Sequence, residues 1–297
     1  MDLRQLRYVV AVADAANFTR AAEGMHVAQP ALSAGIKSLE NELGVRLFDR
    51  TSRRVTMTDS GVAFVAHARQ ILNDADALTE EMGQYAGSIR GRVRLAMWYH
   101  LAPGLPDFLR EFIERYPAVQ LSISELPAPR TFDALRRGDI DLARPLMSDD
   151  ADLTDIEYVV VREERAMLVV APSSQLASSS VVTLDQICDL PLIYPPDGTA
   201  WRGWFDGAFA GTKGPQNVVI ESDEVSAVVA FASIGIGAAV MPRRVAEAID
   251  RPIATVAIEH APKIVTALAW SRTRYRGPAA QRLLEFAQRG LKADRAP

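Results

Sequence analysis

The sequence predicts an α/β protein whose mainly helical N-terminal part and larger C-terminal part are joined by a long helix. Three observations carry this prediction: amphipathic helical segments occupy residues 3–44, one long helix without a breaker begins near residue 58, and strands alternate with helices from residue 91 onward. The length of 297 residues suits roughly two domains. The main boundary lies in the linker Gly87–Gly91.

The composition is that of an ordinary globular chain, with 48% hydrophobic and 24% charged residues. Cys188 is the single cysteine, which excludes a disulfide framework and a Cys-rich zinc site and suits a reducing cytosol. The N-terminus carries charges where a signal peptide needs an apolar core, and the longest uncharged stretch, Val225–Pro242, is typical of a buried helix and a turn. We therefore expect a cytoplasmic protein without a membrane partner.

The net charge of −4 argues against a nucleic-acid partner only at first sight. Residues 1–58 contain eight Lys or Arg and six Asp or Glu, whereas the remainder contains 25 and 31. Phosphate binding needs a local basic face and not a basic protein. The overall charge therefore decides nothing about DNA.

The first 44 residues predict three helices. Leu3–Ala16 is amphipathic, and Thr19 can cap a second helix that runs to about Met25. Pro30 suits the first turn of a third helix, which Gly44 ends. The apolar stripe of this third helix recurs every three or four positions and comprises Leu32, Ile36, Leu39 and Leu43.

A two-stranded wing and a polar helix face follow from this pattern. Two short extended segments, Leu47–Phe48 and Val55–Met57, flank a basic turn. If the apolar stripe of the third helix faces inward, then Gln29, Ser33 and Lys37 lie on the opposite face, four residues apart. In a helix–turn–helix such side chains read base edges and phosphates in the major groove. An ordinary polar surface is the alternative.

A fourth helix begins near Thr58-Asp59 and meets no breaker before Gly83 or Gly87. Its apolar side chains alternate at spacings of four and three and comprise Ile71, Ala75, Leu78, Met82 and Tyr85. This period is typical of a coiled-coil seam, so the helix predicts dimerisation. A helix packed on its own domain is the alternative.

The C-terminal part alternates strands and helices, which favours a mainly parallel sheet and a second layer of strands. The predicted strands are Val93–Met97, Val119–Ile123, Asp141–Ala143, Met167–Ala171, Leu192–Tyr194 and Val218–Ile220, and the predicted helices are Leu105–Tyr116, Phe132–Arg137 and Leu283–Leu291.

Several runs of residues resemble one bacterial family. They are Leu3–Tyr8, Asn17–Ala22, Val27–Ser33, Ile36, Leu39-Glu40, Leu43–Phe48, Arg50 and Thr58, followed later in the chain by Asp139–Ala143 and Ser233–Pro242. The first set is similar to the N-terminal domain of LysR-type transcriptional regulators, and the last two runs resemble signatures of that family's effector domain.

The resemblance implies a winged helix–turn–helix over residues 1–58, a dimerising linker helix over 59–87, and an effector domain of the periplasmic-binding-protein type over 91–297. This domain would have two lobes, residues 91–161 plus 265–297 and residues 162–264, with a small-molecule effector between them. Family members form tetramers, as dimers of dimers, on upstream DNA. The implied partners are double-stranded operator DNA with tandem half-sites, further copies of the chain, and RNA polymerase.

The resemblance also implies a set of DNA-binding residues, with one departure. The set comprises Thr19, Gln29, Pro30, Ser33, Ala34, Lys37, Arg50, Arg53 and Arg54. The family usually has Arg-Gln where this chain has Ala34-Gly35, and glycine within a helix costs about 1 kcal/mol relative to alanine. We therefore expect Gln29, Ser33, Lys37 and the wing to read the operator, while Ala34 contacts a thymine methyl or nothing.

The wing arginines have two interpretations. Arg53 and Arg54 suit a narrow minor groove or flanking phosphates, and a solvated basic turn is the alternative. Arg50 either joins them or makes a hydrogen bond inside the domain.

Effector-binding residues are expected at the carboxyl ends of strands, between the lobes. The candidates are Tyr99, His100, Leu101, Pro127, Ala128, Arg144, Asp197, Gly198, Thr199 and Arg202. The bulky Trp98 favours a flat ligand or packs in the core. Arg144 follows a strand where the family usually has an apolar residue, and it either grips a carboxylate or pairs with Asp149. An organic acid is accordingly one expected class of effector.

Two rival classes, an enzyme and an exported solute-binding protein, are less consistent with the sequence. The four histidines show no metal-ligand spacing, Gly235-Ile236-Gly237 lacks the third glycine of a dinucleotide site, and no serine lies in a Gly-x-Ser-x-Gly elbow. We therefore expect no catalysis, no cofactor and no metal. A solute-binding protein shares the expected effector fold but needs an export signal, which the N-terminus does not resemble.

Overall fold

The computed structural model describes residues 1–50, 55–85, 89–97, 104–126, 128–148 and 151–293. The chain forms two compact units. The first holds residues 1–91 with 137–139 and 274–279, and the second holds 92–136, 140–273 and the C-terminal segment from 280.

The N-terminal unit contains four helices and a strand pair, as predicted. The elements are α1 (Leu3–Ala15), α2 (Phe18–Gly24), α3 (Gln29–Leu43), β1 (Phe48–Arg50), β2 (Val55–Met57) and α4 (Asp59–Tyr85). One cap differs from the prediction: the side chain of Asn17, and not that of Thr19, accepts a hydrogen bond from the Arg20 amide and caps α2. Both residue types cap helices, and Thr19 lies inside the first turn.

The three N-terminal helices share one core. Its buried members include Val9, Val12, Ala21, Ala22, Leu32, Ile36, Leu39, Leu47 and Phe48. The prediction that Leu43 belongs to the buried stripe is wrong, since this side chain is 39% exposed. The reason is that α3 ends at Leu43, one turn beyond Leu39, and Gly44 then takes a left-handed conformation with φ of 70°.

Hydrogen bonds between the side chains of Glu40 and Thr58 and nearby backbone groups fix the wing at a junction between α3 and α4. The Glu40 carboxylate accepts hydrogen bonds from the amides of Leu47, at 2.8 Å, and Phe48, at 3.3 Å. The Thr58 hydroxyl donates to the Arg46 carbonyl at 2.7 Å and accepts from the Gly61 amide at 3.0 Å, which caps α4. The strands β1 and β2 therefore leave and return to one anchored point.

The C-terminal unit mixes strands and helices throughout. Its strands are β3 (Gly91–Met97), β4 (Val119–Ser124), β5 (Leu142–Arg144), β6 (Leu146–Met147), β7 (Ile156–Val170), β8 (Val181–Val182), β9 (Pro191–Tyr194), β10 (Asn217–Glu221), β11 (Ala239–Pro242), β12 (Ala254–Ile258) and β13 (Lys263–Ser271). Its helices are α5 (Leu105–Arg115), α6 (Ala128–Arg137), α7 (Leu184–Cys188), α8 (Ala200–Phe209), α9 (Val225–Ser233), α10 (Arg243–Glu247) and α11 (Pro278–Ala293).

The large sheet is mixed, so the expectation of a mainly parallel sheet is wrong. Its strand order is β4-β3-β5-β13-β7-β12-β8, with β11 on β7 and β6 on β13. The pairs β3–β5 and β8–β12 are parallel, but β13 runs antiparallel to β5 and β7, and β7 runs antiparallel to β11 and β12. The two longest strands thus carry antiparallel ladders. A separate parallel pair, β9–β10, contains the predicted strands Leu192–Tyr194 and Val218–Ile220, while the helix α8 between them in the chain was not predicted.

Strand β7 is longer than the apolar run that predicted it. The sequence indicated Met167–Ala171, whereas the strand covers 15 residues from Ile156. The first half pairs with β13, and the last residues pair with β11 and β12. The charged segment Arg162–Arg165 interrupts the apolar pattern and explains why the sequence did not reveal a continuous strand.

No helix in the described ranges is both long enough and apolar enough to cross a membrane.

Gly61 provides a test of the junction between the wing and α4. A Cβ built at Gly61 lies 2.0 Å from the Leu47 carbonyl oxygen, a backbone atom that the core holds in place. We expect Gly61→Ala to lower the free energy of unfolding by about 3 kcal/mol, as overpacking does. Chemical denaturation followed by circular dichroism measures this loss.

The matched control is Gly24→Ala, because a Cβ at this last residue of α2 meets nothing within 4 Å. Equal stability of the two variants would show that the close approach at Leu47 does not constrain the junction.

Candidate nucleic-acid interface and effector pocket

Helix α3 presents a polar face opposite its buried stripe. Gln29, Pro30, Ala34 and Lys37 are exposed, and Ser33 is half-buried. Lys37 makes no ion pair with any residue that the structure describes. These side chains therefore share one side of α3, opposite its buried stripe, as their spacing predicts.

Gly35 is half-buried, unlike the exposed Ala34, and packs on α1. A Cβ at Gly35 lies 3.0 Å from Cδ2 and 3.2 Å from Cε2 of Tyr8, a ring that is only 7% exposed. The Gln5 amide also donates to the Gly35 carbonyl at 3.4 Å. The glycine therefore leaves room for the Tyr8 ring, so the two residues of the departure Ala34-Gly35 have different roles. Sequence reasoning missed this role because the contact joins different helices.

The other predicted DNA-binding residues lie at the edges of α2 and the wing. Thr19 is exposed in the first turn of α2. Arg50 ends β1, and only its backbone is described. The predicted contacts of Arg53 and Arg54 lie outside the described residues. The interpretation of these arginines stays a prediction.

The side chains of five predicted effector-binding residues are not among those that the structure describes. Tyr99, His100, Leu101 and Pro127 lie outside the described residues, as does Asp149, the alternative partner of Arg144. Ala128 begins α6, and nothing is described of its side chain.

The predicted residues near α8 form a network of their own. Thr199 caps α8 by accepting from the Arg202 amide at 3.1 Å, and Gly198 precedes it with φ of 78°. The Arg202 guanidinium pairs with Asp197 at 2.7 Å and Asp206 at 3.0 Å.

The same guanidinium lies 5.0 Å from the centre of the Tyr194 ring. Burial raises the pKa of Tyr194 to about 12, and the neighbouring Asp206 adds to the effect. The ion pairs with Asp197 and Asp206 already neutralise the charge of Arg202. Its role toward an effector stays a prediction.

Arg144 opens onto a cavity of about 340 Å³. This cavity, here called the Arg144 pocket, is formed by β3, β5, β7 and β13 with α5, α10 and α11. Its lining comprises Leu95, Met97, Gly104, Leu105, Phe108, Leu142, Arg144, Val161, Arg162, Arg244, Leu268, Leu283, Ala287 and Gly290. This described lining does not include the four effector candidates near α8, which are Asp197, Gly198, Thr199 and Arg202.

The charged end of the Arg144 pocket holds more positive than negative charge. Arg244 donates to both Glu164 carboxylate oxygens, at 2.9 and 3.2 Å. The positive charges of Arg144 and Arg162 are therefore left without a paired carboxylate among the described residues. The Arg144 Nε is buried and has no hydrogen-bond partner among the described residues. Burial, followed by the charges of Arg244 and Arg162, lowers the pKa of Arg144 to about 10. The guanidinium stays charged near neutral pH, and no carboxylate in the described part of the chain forms an ion pair with it.

Comparisons with known proteins find family matches for both the N-terminal and the C-terminal parts of the chain. The family model described as "Bacterial regulatory helix-turn-helix protein, lysR family" matches residues 3–62, and "LysR substrate binding domain" matches residues 86–292. The HTH-type transcriptional regulator BudR of Raoultella terrigena is 30% identical over 257 residues, covering 82% of this chain and 85% of BudR.

Solved structures show the same fold over the whole length. Full-length CbnR in complex with its target DNA is 27% identical, with a TM-score of 0.68, and the match covers 97% of this chain and 99% of CbnR. A full-length OxyR variant from Pseudomonas aeruginosa has a TM-score of 0.73 at 23% identity, with 98% of each chain covered, which bears on the fold alone.

These matches define a DNA-binding transcriptional regulator with a C-terminal effector-binding domain. The chain belongs to the LysR family. The α/β fold class and the winged helix–turn–helix are thereby confirmed. The family matches also confirm the prediction that the chain is a regulator and not an enzyme.

The contact between Gly35 and Tyr8 generates a prediction. We expect Gly35→Gln, which introduces the family's usual residue, to lower the free energy of unfolding by about 2 kcal/mol because its side chain displaces the Tyr8 ring. Ala34→Gln on the exposed face is the control and should change stability by less than about 0.5 kcal/mol. Thermal unfolding of both variants measures the difference. If Gly35→Gln is as stable as Ala34→Gln, the glycine is not required by packing.

Proposed function

We propose that this LysR-family regulator reads its operator through the exposed face of α3 and the wing. The observation that carries the proposal is the exposed set Gln29, Ala34 and Lys37 opposite the buried Leu32, Ile36 and Leu39. In the major groove Gln29 would pair with an adenine edge, and Lys37 with guanine or a phosphate. Ser33 would contact a base or phosphate beside them, with Thr19 and Pro30 close to the backbone.

We further propose that α4 joins two copies of the chain. One face of α4 packs on its own unit through Val65, Ala68 and Leu72. The predicted seam lies apart from that face, with Leu78 58% exposed and Tyr85 82% exposed. An apolar seam of this period suits a partner helix. Two such dimers would form the tetramer and contact tandem half-sites spaced by whole helical turns.

The effector proposed for this regulator is an organic acid. Unbalanced positive charge at Arg144 and Arg162 supports an anionic ligand. Binding would change DNA affinity only by favouring one conformation of the oligomer over another. The regulator would act in the cytoplasm, where its operator and its further partner RNA polymerase meet.

Selection of genomic fragments by the full chain tests the proposed function. We expect a discrete upstream site with tandem half-sites and an affinity that falls steeply with salt. Weak binding that is equal on all fragments, with and without organic acids, would contradict the proposal.

Substitutions on α3 test the assignment of the contacts. We expect Gln29→Ala to relax preference at one base position of each half-site, at a cost of about 1–3 kcal/mol. Lys37→Ala should weaken binding and, if it contacts a phosphate, reduce the salt slope by about one for each bound helix. Fluorescence anisotropy on the selected site and on base-substituted versions measures both effects.

The matched control for Lys37→Ala is Lys213→Ala, a surface lysine of the C-terminal unit that pairs with Asp189 at 2.6 Å. The assignment fails if Gln29→Ala and Lys37→Ala keep the operator preference and affinity of the control.

The seam on α4 makes a separate prediction about assembly. Replacing Leu78 and Met82 together by Asp places two charges in the proposed helix–helix contact, so the chain should dissociate to monomers. Size-exclusion chromatography with light scattering measures the mass. The control is Ile113→Asp, because Ile113 is a similarly exposed apolar residue on α5. A double variant with the oligomeric mass of the control would place the interface elsewhere.

A further inference from the structure

We propose that the Arg144 pocket is itself a ligand site, which takes a monoanionic acid with an apolar body of roughly a dozen non-hydrogen atoms. The inference rests on the proposed control of this regulator by an organic acid. It adds the chemical class of that acid and places it within the pocket formed by α5, α11 and the sheet, apart from the predicted residues near α8.

The walls of the pocket call for an apolar ligand. Leu95, Leu142 and Leu268 line it from the sheet, and Leu105, Phe108 and Leu283 line it from α5 and α11. Ligand sites in proteins have cavities of about 300–1,000 Å³, and a cavity of about 150 Å³ accepts benzene. The observed 340 Å³ therefore suits a substituted aromatic ring or a branched aliphatic chain.

Two exposed glycines line the pocket. Gly104 lies at the start of α5 and Gly290 within α11, and both line the cavity. A Cβ built at either meets nothing within 4 Å, so neither glycine is required by a neighbouring atom. A glycine inside a helix costs about 1 kcal/mol relative to alanine. At Gly290 this cost coincides with free volume beside the apolar walls.

The charged end of the pocket calls for one carboxylate. The Arg144 Nε is buried without a hydrogen-bond partner in the described part of the chain, and Arg162 lies beside it. Both oxygens of Glu164 accept from Arg244, and among the described residues neither accepts from Arg144. A carboxylate matches a guanidinium in bidentate fashion and would supply the missing acceptor.

The two ends together disfavour ligands that are polar at both ends. A carboxylate at the end of the ligand away from Arg144 and Arg162 would lie against Leu and Phe side chains without a cation, which is unfavourable. Sugars and small hydroxy acids would leave their hydroxyl groups unpaired against the same walls. A monocarboxylate with an apolar body satisfies both the arginine and the walls.

Isothermal titration calorimetry of the full chain tests the inference with defined probes. These are 4-tert-butylbenzoate and octanoate, the neutral 4-tert-butylbenzamide, and the dicarboxylate terephthalate. We expect at least one of the two apolar acids to bind at least tenfold more tightly than the amide and terephthalate. Arg144→Gln should weaken binding of that acid at least tenfold.

Two further variants locate the ligand. Gly290→Leu adds a branched side chain at the lining of the pocket, leaves every arginine in place and should weaken binding at least tenfold. Arg243 is a surface arginine adjacent to Arg244, and it pairs with Glu247. Arg243→Gln removes this arginine and should leave binding unchanged. Because Gly290→Leu replaces a glycine that no atom crowds, the test remains decisive even if Arg144→Gln does not fold.

Three outcomes would overturn the inference. The amide could bind as tightly as the acid, the acid could bind Gly290→Leu as tightly as the wild type, or neither apolar acid could bind at millimolar concentration. In each case intact operator binding by the same protein would leave the proposed function standing. Loss of sequence-selective DNA binding in the wild type would instead count against the proposed function.

Discussion

The close approach of the Leu47 backbone to the start of α4 is the constraint on which the N-terminal unit depends. The amide of Leu47 donates to Glu40 on α3, while its carbonyl accepts from the Thr58 amide at 3.1 Å and leaves no space for a Cβ at Gly61. One residue thereby sets the positions of the recognition helix, the wing and the long helix. The proposed DNA-reading face and the proposed dimer seam are thus held by a single buried junction.

Packing and recognition divide the surface of α3 between them. Leu32, Ile36 and Leu39 fill the core, and Gly35 admits the ring of Tyr8. The helix consequently offers a narrower polar face than one with Arg-Gln at positions 34 and 35. If this face reads the operator as proposed, we expect affinity for DNA to depend more on the remaining polar side chains and on phosphate contacts, which are sensitive to salt.

The N-terminal elements could be predicted from the sequence because local signals determine them. Amphipathic stripes, Pro30 and Gly44 placed α1 and α3 within a residue or two of their observed bounds. The cap at Asn17 was misassigned because two capping residue types lie close together. Long-range features escaped prediction: the antiparallel ladders of β13, the length of β7 and the Tyr8 contact all depend on residues distant in sequence. Arg144 was identified, but its pocket was not, since seven elements form it.

The length of β7 has a mechanical consequence for the C-terminal unit. Fifteen extended residues span about 50 Å, and hydrogen bonds to β13 and then to β11 and β12 accompany the strand along most of this length. Val161 and Arg162, near its middle, line the Arg144 pocket. The register of the β7–β13 ladder shifts between Val160 and Arg162, so Val161 is an unpaired extra residue of β7 at the wall of the pocket. We expect a ligand that contacts Val161 to alter the local twist of a strand that the ladders with β13, β11 and β12 all share.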